Sequence, residues 1–407
     1  MDEHRQHDTE LAETFRTGSN QSGMRNYNER LIIDTVLRSG PRSKAEIARM
    51  TQLSAQTVTV IVNRLITDGI LMKMDSIKGK VGQPSIPIAI NPEGAISIGV
   101  KVGRRSVDLY AVNFQRDVIA KRTFQYSYPH PKDIFDWLDV NMTDMLNGFA
   151  PYLQARVLGI GVAIPNDLDG WEAVIGAPDG EMSGWSQIDL VARLETDAKL
   201  PVYVLNDASA ACLAQMTLVD LRTNKTFLYI YIATFVGGGL VINGELFEGR
   251  TGNAGALGSM PMTIVSDHDG QPSQLIEHAS LHRLETMAKS AKMLDNGFHS
   301  FLHDAASKAL INEWVDDAAQ ALAMAIISAQ SVLDLDHVVM DGGLPSGILK
   351  QLIEKTRTDI LAYNTEGIDI PDIVLGELGN DARALGAAML PLRANFSVDQ
   401  SAFVIGH

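Results

Sequence analysis

The chain has 407 residues, 45% of them hydrophobic and 20% charged, with a net charge of −15. That is too long for one ordinary core, so two or three domains are expected. The single cysteine, Cys212, excludes an internal disulfide and a cysteine-rich zinc site, and no apolar run approaches the roughly 20 residues of a membrane helix. The acidic, polar N-terminus "MDEHRQHDTELAETF" is unlike a secretory leader, which points to the cytoplasm. Charge is distributed unevenly. Residues 25–90 hold ten Lys and Arg against five Asp and Glu, residues 1–24 carry −3, and the remainder carries −17. A small basic module on a large acidic body implies that one part meets a polyanion and the other does not.

Residues 1–24 lack hydrophobic periodicity and are expected to form a flexible tail. In "NERLIIDTVLRSG" the apolar residues Leu31, Ile32, Ile33, Val36 and Leu37 make a helical stripe closed by Gly40. Ser43, followed three residues later by Glu46, predicts a capping box for the short helix "KAEIARMT". After the turn "QLS", Ser54 caps a longer helix, "AQTVTVIVNRLITDG". Val58, Ile61, Val62 and Leu65 form its packing face. Ser54, Gln56, Thr57, Thr59 and Asn63 are short polar groups suited to phosphates and base edges, as on a recognition helix. The segment "ILMKMDSIKGKVGQPSIPIAI" reads as two strands joined by a wing carrying Lys73, Lys78 and Lys80. Helix–turn–helix, wing and local positive charge predict a DNA-binding module over 25–90. Its contact set is Ser43, Lys44, Ser54, Gln56, Thr57, Thr59, Asn63, Arg64, Lys78, Lys80 and Gln83.

From Ala95 onward strands and helices alternate. "AISIGVKVG", "SVDLYAVN" and "VIAKRTFQYS" read as consecutive strands, followed by a helix from Pro131 to Leu153 and the buried strand "VLGIGVAIP". "LPVYVLND" is a strand ending at Asn206 and Asp207, where Asp207 suits an N-cap of the next helix, in which Cys212 packs. "FLYIYIATFVGGGLVINGELF" reads as a hairpin whose glycines permit a tight bend and close packing. Helices then dominate until the strand "HVVMDGG". This order predicts a two-lobed α/β body with a cleft between the lobes. Trp171 and Trp185 flank a loop at the cleft edge, where packing is favoured over stacking on a ligand ring.

The winged module, "IPNDLDG", "LPVYVLNDASAACLAQ", "ATFVGGGLVINGELFEG", "GNAGALGS", "VVMDGG" and "LGNDARALGAAML", in that order, resemble the ROK family (repressors, open reading frames and kinases) over nearly the whole chain after residue 25. The resemblance implies an actin/hexokinase-like fold behind an N-terminal winged helix-turn-helix. The first lobe would cover 91–215, completed by a C-terminal helix near 381–393. The second, over 216–380, would carry the ligand cleft and the oligomer contacts. Kinases of the family phosphorylate hexoses; its repressors sense a sugar or sugar phosphate. The resemblance assigns sugar contact to Asn206, Asp207 and Glu277.

The sequence departs from the kinase pattern. Lys101, Arg104 and Arg105 replace the acid, glycine and threonine of the first phosphate loop, and Ala233 and Phe235 alter the second. A lysine repels the metal that an acid would face, and an arginine fills the space a glycine leaves for phosphate. Ala256 and Ser259 stand where the family has its Glu and His, and "SDHDGQPSQ" replaces its cysteine-rich zinc loop. Neither ATP nor zinc is therefore expected; a substitute metal site from His268, His278 and His282 is the lesser alternative. Gln83 replaces the arginine of the family's Gly-Arg-Pro after the wing. The expected protein is a non-catalytic regulator of carbohydrate-related genes, most readily a repressor; the alternatives are a hexose kinase of the family and a DNA-binding regulator without a sugar effector. The regulator would act as a homodimer or homotetramer on a palindromic double-stranded operator, with a sugar-type effector and no membrane.

Overall fold

The computed structural model describes residues 21–75, 86–219, 225–265 and 272–398. Three helices come first: α1 (Gln21–Ser39), α2 (Lys44–Thr51) and α3 (Ala55–Thr67). Ile32, Ile33 and Val36 of α1, Ile47 of α2, and Val58, Val62 and Leu65 of α3 are buried together. Ser43 accepts from the Glu46 amide while Glu46 accepts from the Ser43 amide, completing the capping box of α2. Strands β1 (Leu71–Lys73) and β2 (Ile88–Ile90) pair antiparallel, Leu71 opposite Ile90. The wing tip with Lys78, Lys80 and Gln83 lies outside the described residues, as do residues 1–20. Helix α1 begins at Gln21, inside the segment expected to be tail.

The body contains two five-stranded sheets of one topology. The first runs β5 (Val118–Gln125), β4 (Ser106–Asn113), β3 (Ile96–Val102), β6 (Val157–Ile164), β7 (Val202–Asn206). The second runs β10 (Glu245–Phe247), β9 (Gly237–Ile242), β8 (Phe227–Ile232), β13 (His337–Gly342), β14 (Asp372–Leu375). A small third pair is β11 (Pro261–Val265) with β12 (Pro272–Gln274). In each large sheet three antiparallel strands are followed by two parallel ones. Central strands β3 and β8 are buried along their whole length, as strands covered on both faces must be. Edge strand β5 alternates between exposed and half-buried positions.

Helices α4 (Pro131–Asn147) and α5 (Leu190–Ala198) pack on the outer face of the first sheet. Two helices pack inside. α6 (Asp207–Leu218) crosses the C-terminal α12 (Ala382–Phe396), and α12 lies on β3 and β6 while α6 also touches β9. Glycine makes these approaches possible. A Cβ on Gly386 would overlap the Ala210 carbonyl, one on Gly161 the Ala387 carbonyl, and one on Gly99 would come within 2.5 Å of the Ala384 oxygen. The remaining helices are α7 (Leu275–Ala279), α8 (Leu281–Ser290), α9 (Gly297–Phe301), α10 (Lys308–Leu333) and α11 (Ser346–Ile360); α10 and α11 cover the outer face of the second sheet.

The structure corrects several expectations. The helix from Pro131 stops at Asn147, ahead of Gly148, and a separate turn starts at Pro151, whose ring cannot continue a helix. The hairpin over 227–247 is three strands, because Asn243 and Gly244 take positive φ and add a second turn. The three glycines are not its bend. Ala233–Val236 make the turn, and the glycines lie in β9 against α6. Strands β11, β12 and β14 carried too little periodicity to be foreseen.

Candidate nucleic-acid interface and interlobe cleft

The faces of α3 separate cleanly. Val58, Ile61, Val62 and Leu65 point into the domain, while Ser54, Gln56, Thr59, Val60 and Asn63 are exposed and Thr57 is half-buried. Several hydroxyls are engaged locally. Ser54 accepts from the Thr57 amide at 3.1 Å and its hydroxyl meets that of Thr57 at 2.8 Å, and Thr59 donates to the Ala55 carbonyl at 2.7 Å. Ser43 is held in its capping box. Lys44 reaches across from α2 and donates to Asn63 Oδ1 at 2.6 Å. Burial and then the charge of Lys73 hold Lys44 below its ordinary value. Arg64 stands apart from the expected contact set. Its guanidinium turns inward and pairs with Glu29 of α1, fastening α3 to α1. Val60, on the exposed face, was absent from the expected set because polarity alone had selected it.

The winged helix rests on the body at the far end of α12. Arg30 of α1 donates to the Ala394 and Ser397 carbonyls at the end of α12, at 3.3 and 3.2 Å. A cation there complements the helix C-terminus. Phe114 packs on Phe396 with ring centroids 4.4 Å apart. Arg116 donates to Thr217 O near the end of α6 at 2.9 Å.

The opposite ends of α6 and α12 open into a cleft of about 640 Å³ between the sheets. Asn206 ends β7 and is the N-cap of α6, accepting from the Ala208 and Ser209 amides at 3.0 and 3.4 Å. The cap expected at Asp207 is therefore one residue earlier, and Asp207, the first helical residue, is left for another partner. Its Oδ2 meets Arg383 of α12 at 3.1 Å, with both side chains largely buried. Burial alone would lower Arg383; Tyr231, whose ring lies 5.1 Å away, and Asp207 reverse this and hold it above its ordinary value. Asp341, buried at the end of β13, accepts from the Gly379 amide at 3.0 Å and from Tyr229 at 3.0 Å, fixing the loop that leads into α12. Asn206, Asn166 and Asn253 form an amide chain across the cleft, at 3.3 and 2.8 Å.

The turn between β3 and β4 closes one side. Lys101 is almost fully buried and donates to Asp108 at 2.9 Å and to the Ser106 hydroxyl at 2.6 Å. Burial, reinforced by the charge of Arg383 and only partly offset by Asp108, pushes Lys101 down to about 8. Arg104 donates to the Asp167 carbonyl at 3.2 Å and lies 4.6 Å over the Phe235 ring. Arg105 pairs with Glu285 of α8 at 3.5 Å. These contacts link the turns of the two sheets across the cleft mouth.

Other expected positions fall elsewhere. Glu277 is exposed, does not line the cleft, and accepts from the amide of Gln274, the N-cap of α7, at 2.7 Å to complete a capping box. His278 meets Ser273 at 2.8 Å and Asp317 at 3.0 Å, while His282 lines the cleft 5.6 Å from Phe235. His268 lies outside the described residues, among which no group of His, Cys, Asp or Glu forms a metal cluster. Nδ1 of His282 is buried with no hydrogen-bond partner among the described residues, and burial lowers this histidine. His282, named from the sequence only for an alternative metal site, is thus a cleft residue open to ligand contact. Trp185 is core, donating to the Pro129 carbonyl at 2.7 Å and packing near Phe135. Cys212 is fully buried against Gly239, and burial raises its thiol.

Two family models match this architecture: the ROK family over residues 97–394 and a winged helix-turn-helix DNA-binding domain over 25–72. The chain belongs to the ROK family. It is 24% identical to the DNA-binding transcriptional dual regulator NagC of Escherichia coli (strain K12), over 91% of this chain and 93% of that one. It is 23% identical to the xylose repressor of Bacillus subtilis (strain 168) over 60% of this chain, a match spanning 62% of that repressor. A solved ROK transcriptional regulator, a homologue of the E. coli MLC protein, superposes with a TM-score of 0.69 at 18% identity, covering 94% of this chain and all of that one. The ROK hexokinase of Thermus thermophilus superposes at 0.51 with 24% identity, over 72% of this chain and 97% of that one. The last two matches establish the fold. No helix among the described residues is long and apolar enough to cross a membrane.

Proposed function

We propose that this protein is a cytoplasmic transcriptional regulator, a repressor of carbohydrate-related genes, whose ROK body senses a sugar or sugar derivative and transfers no phosphate. One observation carries the reading. Helix α12 brings Arg383 into the cleft at one end, and at its other end is held by Arg30 of the winged helix. A ligand that competes for Asp207 or Arg383 changes the seat of α12, and with it the seat of the DNA-binding domain. Linkage requires only that the ligand prefer one arrangement. Asn206, Asp207 and the Nδ1 of His282 offer the mixture of acceptors and donors that sugar hydroxyls need.

Phosphoryl transfer needs a metal-bound nucleotide and room for its phosphates. A buried lysine and the Arg104–Phe235 contact at the cleft mouth disfavour both, so ATP has no role in this reading, and zinc, with no cysteine-rich loop in the sequence to hold it, has none either. The protein acts as a homodimer or homotetramer, placing two α3 helices on a palindromic operator about one DNA turn, or a multiple, apart.

Fluorescence anisotropy on a selected operator, with a panel of sugars and sugar phosphates, tests the scheme. At least one ligand is expected to change affinity for wild type, and Arg30→Ala should bind DNA but lose that response. A sugar-dependent ATP turnover abolished by Asp207→Asn would overturn the non-catalytic part.

A further inference from the structure

Four residues recur at helical spacing on the outer side of α3: Gln56, Thr59, Val60 and Asn63. Their chemistry is narrow. Val60, 65% exposed, is an apolar β-branched group at the centre of the face. The Thr59 hydroxyl is spent on the Ala55 carbonyl, which leaves its γ-methyl to face outward. Asn63 has its amide oxygen occupied by Lys44 and keeps only its NH₂ as a donor. The one cation of the helix, Arg64, is withdrawn onto Glu29. Guanine is read most often by a bidentate Arg or Lys, adenine by Asn or Gln, and thymine by apolar contact with its C5-methyl group.

We infer that α3 reads A·T pairs in the major groove, with Val60 as the residue that detects a thymine methyl. Gln56 takes the N6/N7 edge of adenine on one side of that contact. Asn63, its NH₂ held in place by Lys44, donates to a purine N7 or to thymine O4 on the other; guanine N7 and O6 would accept the same donor, so the A·T preference rests on Gln56 and Val60. Arg64 sets the position of the helix and reads nothing. The inference rests on the protein being a sequence-specific DNA binder.

The test uses the full chain. Binding sites are first selected from random duplexes. Each thymine of the half-site is then replaced in turn by deoxyuridine, which removes only the C5-methyl group. Affinities are measured for wild type, Val60→Ala and Arg64→Met, with thermal melts confirming that the exposed Val60 site leaves the fold intact. At one thymine, wild type should lose about fourfold on methyl removal, the worth of one buried apolar carbon. Val60→Ala should lose about the same on the thymine duplex and nothing further on the deoxyuridine duplex. Arg64→Met should leave the base preference unchanged. A deoxyuridine penalty of equal size in wild type and Val60→Ala at every thymine overturns the inference, as does loss of a guanine preference in Arg64→Met. Failure of selection to enrich any sequence with folded protein overturns the DNA-binding reading itself, an outcome distinct from an enriched site insensitive to the methyl.

Discussion

The two sheets of the body share one strand order, yet their first hairpin turns are made of opposite materials. In the first sheet the turn after β3 is Gly103, Arg104 and Arg105, anchored on the buried Lys101–Asp108 pair. In the second the turn after β8 is Ala233–Val236, and the glycines follow it inside β9. The first turn is filled with cations. The second is uncharged and carries Phe235, and the room left by the glycines that follow it is taken by α6: a Cβ on Gly239 would meet Cys212 Cβ at 2.5 Å, and one on Gly237 would meet Ala208 Cβ at 2.9 Å. A glycine run can therefore mean close helix packing as readily as space for a ligand. Which it means depends on what lies behind the strand.

The largest expected effect strikes both sheets at once, through the helix pair they share. Gly386→Val places a branched side chain on the Ala210 carbonyl, which cannot move without separating α6 from α12. We expect a loss of about 3 kcal/mol or more in urea unfolding. Gly347→Ala, at a helical glycine with open space around it, should cost nothing.

The next test concerns the first turn alone. Asp108→Ala strands Lys101 in the interior and Lys101→Met strands the buried Asp108, so each should cost about 3 kcal/mol, whereas replacing both, Lys101→Met with Asp108→Leu, should lie within about 1 kcal/mol of wild type or gain. The pH dependence sharpens the contrast. Lys101 loses its proton near pH 8 when folded but near 10.5 when unfolded. Between those values the unfolded chain binds the extra proton, so this lysine makes stability rise with pH. Unfolding free energies measured across that window should rise more steeply for wild type than for Lys101→Met.

In the second sheet, Gly239→Ala should cost about 1–3 kcal/mol by overpacking against Cys212. Chemical denaturation checks this, and no loss at all would show that the glycine serves something other than packing. The smallest effect belongs to the place where the two turns meet. Phe235→Ala removes the ring beneath Arg104 and should cost about 1 kcal/mol or less in the same measurement.

Much of the local architecture was legible in the sequence, because caps and periodicity act over a few residues. The Ser43 and Ser54 caps, the faces of α2 and α3, and the strand ending at Asn206 all follow from near neighbours in the chain. So did the placing of Asn206 and Asp207 together, since adjacent residues at a strand end cannot separate. Only the tertiary structure decided what those groups face. Arg64 turns inward because Glu29, 35 positions earlier, offers it a charge on α1; Glu277 turns away from the cleft because its nearest unsatisfied donor is the start of α7; Asp207 meets Arg383 because α12 returns from the far end of the chain. Side-chain direction is set by the nearest compensating charge or donor, and for buried and half-buried polar groups that partner is seldom local in sequence.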